Sequence, residues 1–150
     1  MEGDLCYKHG GTALCYKHGG TALIYKVNVV AEPITLYIDY EPKSWTCQTY
    51  GSDHNQEIRC STSAGNHSTG WQYSAATIVV TAAELAGLAS FTLTIYGGDP
   101  CAAHEDPGIQ ATVIASQRGA ASQLMRVAVA TGGSATLTIS LSRGRLTGMN

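Results

Sequence analysis

The sequence predicts an all-β protein, an antiparallel β-sandwich of roughly eight strands with one short helix. Three observations carry that expectation. Short runs in which apolar residues alternate with Thr and Ser recur along most of the chain, clusters of Gly, Pro, Asn, Asp and Ser separate them, and one segment alone opens with a helix start signal. At 150 residues the chain is expected to form a single domain, residues 1–150, long enough to bury a sizeable core.

The first element is a repeat. Leu5-Cys6-Tyr7-Lys8-His9-Gly10-Gly11-Thr12-Ala13 is followed at once by the same nine residues over 14–22, and a decayed third copy begins Leu23-Ile24-Tyr25-Lys26-Val27. Two identical adjacent copies over 5–22 mean a recent tandem duplication or a deliberate insertion, because old repeats drift. Each copy reads as one strand plus one turn, with Gly10-Gly11 and Gly19-Gly20 supplying the positive φ of a two-residue hairpin. The first hairpin then sets Cys6 opposite Cys15, within disulfide reach. In the second, His18 faces Thr21, and Leu14, Tyr16, Leu23 and Tyr25 share a face. The arrangement favoured over these has one copy in the sheet and the other displaced, since a fold that arose with one copy has no vacant strand position. Cys6, His9, Cys15 and His18 have the side-chain types of a zinc site, but duplication alone reproduces that spacing. Ile24 in the cysteine position of the third copy favours a plain hydrophobic role.

The strand signal then continues. Ile34, Leu36, Ile38 and Tyr40 alternate with Thr35, Tyr37 and Asp39 between Pro33 and Pro42, the pattern of a half-buried strand. Further runs cover 45–50, 57–63, 71–80, 91–96, 109–116, 124–131 and 135–142. The helix candidate is 81–89, where Thr81 and Glu84 form a capping box ahead of Leu85 and Leu88.

Composition excludes some partners. Nine basic against eleven acidic side chains leave a net charge of −2, with no basic footprint for nucleic acid. The first residues lack the basic start and apolar stretch of a signal peptide, and no window reaches the ~18 apolar residues of a membrane helix. A soluble chain in the cytoplasm is expected, with a secreted one as the alternative. Cys6, Cys15, Cys47, Cys60 and Cys101 are five cysteines, and removing one repeat copy leaves four. In an oxidising compartment Cys47 and Cys60 are the natural near pair, closing the polar loop 48–59. Asn66-His67-Ser68 is an N-glycosylation pattern that goes with the secreted alternative.

Ile78-Val79-Val80-Thr81-Ala82-Ala83-Glu84 followed by Phe91-Thr92-Leu93-Thr94-Ile95-Tyr96 resembles the end of calpain domain III, where a strand leads through a short linker to a closing strand. Residues 27–40 resemble that family's early strands, so the likeness covers about half the chain. It implies a non-catalytic accessory sandwich whose anionic loops touch calcium or phospholipid, with a protein or a membrane surface as partner. The same Phe91 to Tyr96 strand is also similar to secreted pre-peptidase-type sandwiches. That resemblance implies an accessory role too, in a disulfide-bearing domain that binds a protein or a glycan.

Several side chains invite chemistry. Cys101 and His104 stand three apart in one loop, with Glu105 or Asp106 available to orient the histidine, but nothing around Cys101 lowers a thiol pKa, so no enzyme is expected. Asp99, Glu105 and Asp106 are the best calcium candidates, and Asp39 with Glu41 forms a second acidic group. No other cofactor is expected. Thr92-Leu93-Thr94 and Thr136-Leu137-Thr138 place threonines on one strand face, as β-propensity alone also does. An added strand can leave an edge for self-association, against which Lys8, Lys17 and Lys26 partly protect. If a ligand is bound, Trp45, Tyr50, Trp71 and Tyr73 are the expected contacts, with core packing as the default for either tryptophan.

Overall fold

The computed structural model describes residues 4–9, 12–17, 32–47, 51–98 and 108–150. The chain divides into two compact units, Met1–Val30 and Ala31–Asn150. In the first, β1 (Asp4–His9) and β2 (Thr12–Lys17) pair antiparallel in a two-stranded sheet of their own. Cys6 stands opposite Cys15 and His9 opposite Thr12, the register that a two-residue turn at the Gly-Gly pair requires. The two copies therefore pair with each other, which replaces the favoured arrangement of one copy in the sheet and one displaced. Identical copies make this register self-consistent, because Leu5 pairs with Tyr16 and Tyr7 with Leu14 along the two strands. The second hairpin and the third copy lie outside the described residues.

The second unit is an antiparallel sandwich. One sheet is formed by β3 (Ile34–Glu41), β7 (Ala76–Val80), β9 (Ile109–Gln117) and β10 (Gln123–Val129), in the order β10-β9-β3-β7. The other is formed by β6 (Glu57–Thr62), β8 (Ser90–Gly98), β11 (Ser134–Ser142) and β12 (Arg145–Met149), in the order β12-β11-β8-β6. A small hairpin, β4 (Ser44–Cys47) with β5 (Ser52–Asn55), precedes β6. The all-β class, the sandwich of eight strands and the short helix are thus present.

Alternation sets the core. Ile34, Leu36 and Ile38 of one sheet and Ile58, Cys60, Leu93, Ile95 and Ile139 of the other are fully buried in one continuous hydrophobic cluster. Each large side chain so placed contributes roughly 1.5–3 kcal/mol relative to exposure. Cys60 is a free thiol on the inner side of β6, so the Cys47–Cys60 pairing anticipated for an oxidising compartment is not made. Burial pushes its pKa up to about 12.

The capping box is formed as the sequence indicates. Thr81 Oγ1 accepts from Glu84 N at 3.2 Å and Glu84 Oε1 accepts from Thr81 N at 2.9 Å, opening α1 (Ala82–Leu85). The helix is a single turn rather than the expected 81–89. Gly87, at φ +78°, turns the chain out of it, while Leu85 stays fully buried.

Gln117, at the end of β9, is a buried polar bolt. Its Nε2 donates to the carbonyls of Glu32 and Gly144, both at 2.8 Å, and its Oε1 accepts from Leu146 N at 2.7 Å. One side chain thereby ties the β11–β12 turn of the other sheet to the end of β9 and to the approach to its neighbour β3.

Candidate functional site

The strand expected over 71–80 begins only at Ala76, because the residues before it pair elsewhere. His67 O accepts from Thr62 N, Thr69 N donates to Cys60 O, and Gln72 exchanges both of its main-chain bonds with Ile58, at 2.9 and 3.0 Å. Residues 67–72 thus run along the outer edge of β6. Covering an edge in this way removes the unpaired N–H and C=O groups that invite edge-to-edge association.

That pairing also builds a surface cluster. With Gln72 opposite Ile58, its neighbour Trp71 comes alongside Arg59, and the β6–β8 register sets Arg59 opposite Tyr96. The guanidinium carbon lies 4.2 Å from the Tyr96 ring centroid and 5.6 Å from that of Trp71. Both distances are within the range of a cation–π contact. Gly98 completes the seat, since a Cβ there would stand 2.8 Å from Trp71 Cζ3 and 3.2 Å from Glu57 Cγ. The row therefore runs Trp71, Arg59, Tyr96, Ser134 across the outer face, the last pair by the β8–β11 register.

Although Trp71 is held on one side it remains 48% exposed, and Tyr73, two residues on, is 60% exposed. These are two of the four aromatic contacts expected from sequence, and the structure rejects core packing for Trp71. Trp45, on β4 opposite His54, is half-buried and already has interaction partners. Tyr50 lies outside the described residues, as do Asp99, Cys101, His104, Glu105 and Asp106. Of the second acidic group, Asp39 is engaged: Lys43 Nζ donates to its Oδ1 at 2.7 Å and Tyr40 N at 2.9 Å. The Lys43 hydrogen bond is the main reason its carboxyl is held below the usual range.

Sequence reasoning missed Arg59, Tyr96 and Gly98. Their outward positions follow from strand alternation, but their meeting with Trp71 depends on register between segments far apart in the chain. Tyr40 sits nearby on the inner side, its hydroxyl donating to Gln56 O at 2.9 Å. Burial first, then the negative charges of Asp39 and Glu57, raise its pKa to about 12.

Away from the edge, the outer face of this sheet is paved with hydroxyls. The registers align Ser61, Thr94 and Thr136 in one row and Thr92 with Thr138 in the next, so the two Thr-x-Thr motifs lie side by side. Thr94 and Thr136 share a hydrogen bond of 3.1 Å.

A second polar arrangement closes the end of the sandwich. His67 Nε2 and Glu84 Oε1 are 2.7 Å apart, which fastens the short 3-10 turn Ala64–Asn66 to α1. The His67 hydrogen bond, ahead of that from Thr81, holds the Glu84 carboxyl below its ordinary value. Gly65, at φ +70°, lies directly beneath, where a Cβ would collide with the Glu84 carboxylate and the His67 ring. This pair is occupied in holding backbone together.

Among the described residues no three His, Cys, Asp or Glu side chains group as a metal set, and no helix is long and apolar enough to cross a membrane. No protein-family model, curated protein or solved structure matches the chain.

Proposed function

We propose that the sandwich is a non-catalytic binding module that meets its partner through the aromatic edge of β6, with Trp71 and Tyr73 as the principal contacts. The single observation behind this is the exposure of both rings, of which Trp71 is braced by a guanidinium. Exposed aromatic side chains that are already ordered lose little conformational entropy on binding, and tryptophan, tyrosine and arginine dominate the energetics of contact surfaces. Arg59 acts as a positioning residue for Trp71, since its guanidinium contacts the rings of both Trp71 and Tyr96.

The test is a binding panel on the full chain with three probe classes: immobilised polysaccharides, a random-peptide array, and anionic phospholipid vesicles with and without calcium. The vesicle arm addresses the accessory role implied by the calpain-like strands. The expected result is one class bound by the wild type and lost in the Trp71→Ala, Tyr73→Ala double variant at unchanged unfolding midpoint. Equal binding by wild type and variant, or none by either, defeats the proposal.

A further inference from the structure

The aromatic edge also narrows the chemistry of what it holds. Resting on the binding-module reading, we infer that the partner is a neutral polysaccharide lying across the row that leads from Trp71 and Tyr73 onto the hydroxyl-paved outer face. Three observations on different residues converge on it.

The first is charge. Aromatic faces carry a negative quadrupole and attract cations or polarised C–H groups. Here the cation position on both Trp71 and Tyr96 is already filled by Arg59. A second cation on the same rings meets like-charge repulsion, so lysine-rich peptides and quaternary amines are disfavoured. An anion gains little either, because the Arg59 guanidinium is engaged by two rings and Glu57 stands beside the row. A ligand with neutral C–H faces suits the open side of the indole.

The second is the surface next to the rings. Ser134 follows Tyr96 in the same row, and Ser61, Thr94 and Thr136 form the next. A hydroxyl both donates and accepts and reorients to suit its partner, which matches the hydroxyls of a sugar. None of these rows adds a charged side chain, so a charged polymer has nothing to pair with there.

The third is what the edge forbids. One way an extended peptide binds is by adding a strand to an open sheet edge. At β6 that edge is already taken by residues 67–72, through the main-chain bonds of Cys60 and Ile58. Trp71 and Tyr73 flank the bridging Gln72, and the chain bends at Tyr73 and Ser74 as it leaves the edge. Both rings are exposed at this edge, so a sugar face has aromatic surface to meet there.

The test is affinity electrophoresis of the full chain in native gels containing hydroxyethylcellulose, xylan, glucomannan or soluble starch, followed by calorimetric titration with the matching oligosaccharide. At least one neutral polysaccharide should retard the wild type. Trp71→Ala should weaken the oligosaccharide at least about tenfold, as loss of a stacked ring does. Gly98→Ala, whose Cβ displaces the indole without removing it, should weaken binding in the same direction, and Trp71→Phe should recover part of it. Unfolding midpoints within a few degrees of wild type keep these results interpretable. If anionic vesicles or peptides bind in a Trp71-dependent way and no polysaccharide does, the carbohydrate inference is overturned and the module survives. If nothing binds in a Trp71-dependent way, both are overturned.

Discussion

Replacing Gln117 offers the sharpest test of how the two sheets are joined. The side chain is 8% exposed and makes three hydrogen bonds of 2.7–2.8 Å. Gln117→Ala strands Leu146 N, on a residue only 3% exposed, and removes the donor from two carbonyls on half-buried residues. An orphaned buried donor costs about 1–3 kcal/mol, and each carbonyl, with a second lone pair and some access to water, nearer ~0.5–1 kcal/mol. The sum is about 2–5 kcal/mol, a fall of ~1–2.5 M in urea midpoint at an m-value near 2 kcal/mol/M. Gln117→Glu sharpens the reasoning, because it keeps the acceptor for Leu146 N but turns a carboxylate toward two carbonyl oxygens. Its folded-state pKa is then raised, so the loss should be largest at neutral pH and recede as pH falls through that value. Equilibrium urea unfolding of the three proteins between pH 7 and 4 measures both effects. A loss under about 1 kcal/mol for Gln117→Ala, or a Glu variant that worsens in acid, would refute the bolt.

Three further outcomes follow from the same structure. Glu84 titrates below its ordinary value when folded, so its contribution is present above the unfolded pKa and lost as pH falls through the folded one. The stability advantage of wild type over Glu84→Gln should therefore vanish on acidification, and urea midpoints in which it persists in acid would contradict the His67 contact. Gly65→Ala should cost on the order of 1–3 kcal/mol, from its positive φ and the collision with Glu84, and a neutral result in thermal unfolding would show that the turn relaxes freely. Cys60, buried and pushed up to about 12, should stay unlabelled by maleimide in the native protein and react on unfolding, as read by peptide mass mapping. Native labelling at Cys60 would place it outside the core.

Much of the fold was legible because each signal was local. Ile34 to Tyr40 alternates between two prolines and forms β3 over Ile34–Glu41, and the Phe91 to Tyr96 run lies within β8. The Thr81–Glu84 box marked a helix start, and the Cys6–Cys15 register followed from counting across a Gly-Gly turn. What escaped were elements without a pattern. Ser52–Asn55 has no apolar residue and is a strand only because β4 pairs with it, and Arg145–Met149 is carried by pairing with β11, where Leu146 is buried opposite Leu141. The strand expected from Trp71 failed for the opposite reason, because its first residues obey period two but follow β6 rather than β3.

The same distinction explains the candidate site. Residue type alone pointed to Trp71 and Tyr73, since large aromatics near a polar loop are the usual carriers of contact energy. Nothing local pointed to Arg59 or Tyr96, whose neighbours in sequence give only an ordinary amphipathic strand. The cluster exists because two independent pairings agree: Gln72 with Ile58 on one side of β6, and Arg59 with Tyr96 on the other. A slip of one residue in either would turn a side chain of the row to the opposite face. The inward alternates are Ile58, Cys60 and Ile95, all fully buried, so the slip would also expose core. At roughly 1.5–3 kcal/mol for each large apolar side chain, that penalty far exceeds the ~0.5–1 kcal/mol of a cation–π contact at an exposed site. Core burial, and not the stacking itself, therefore holds the aromatic row in place, which leaves Trp71 and Tyr73 free to be substituted with little effect on the fold.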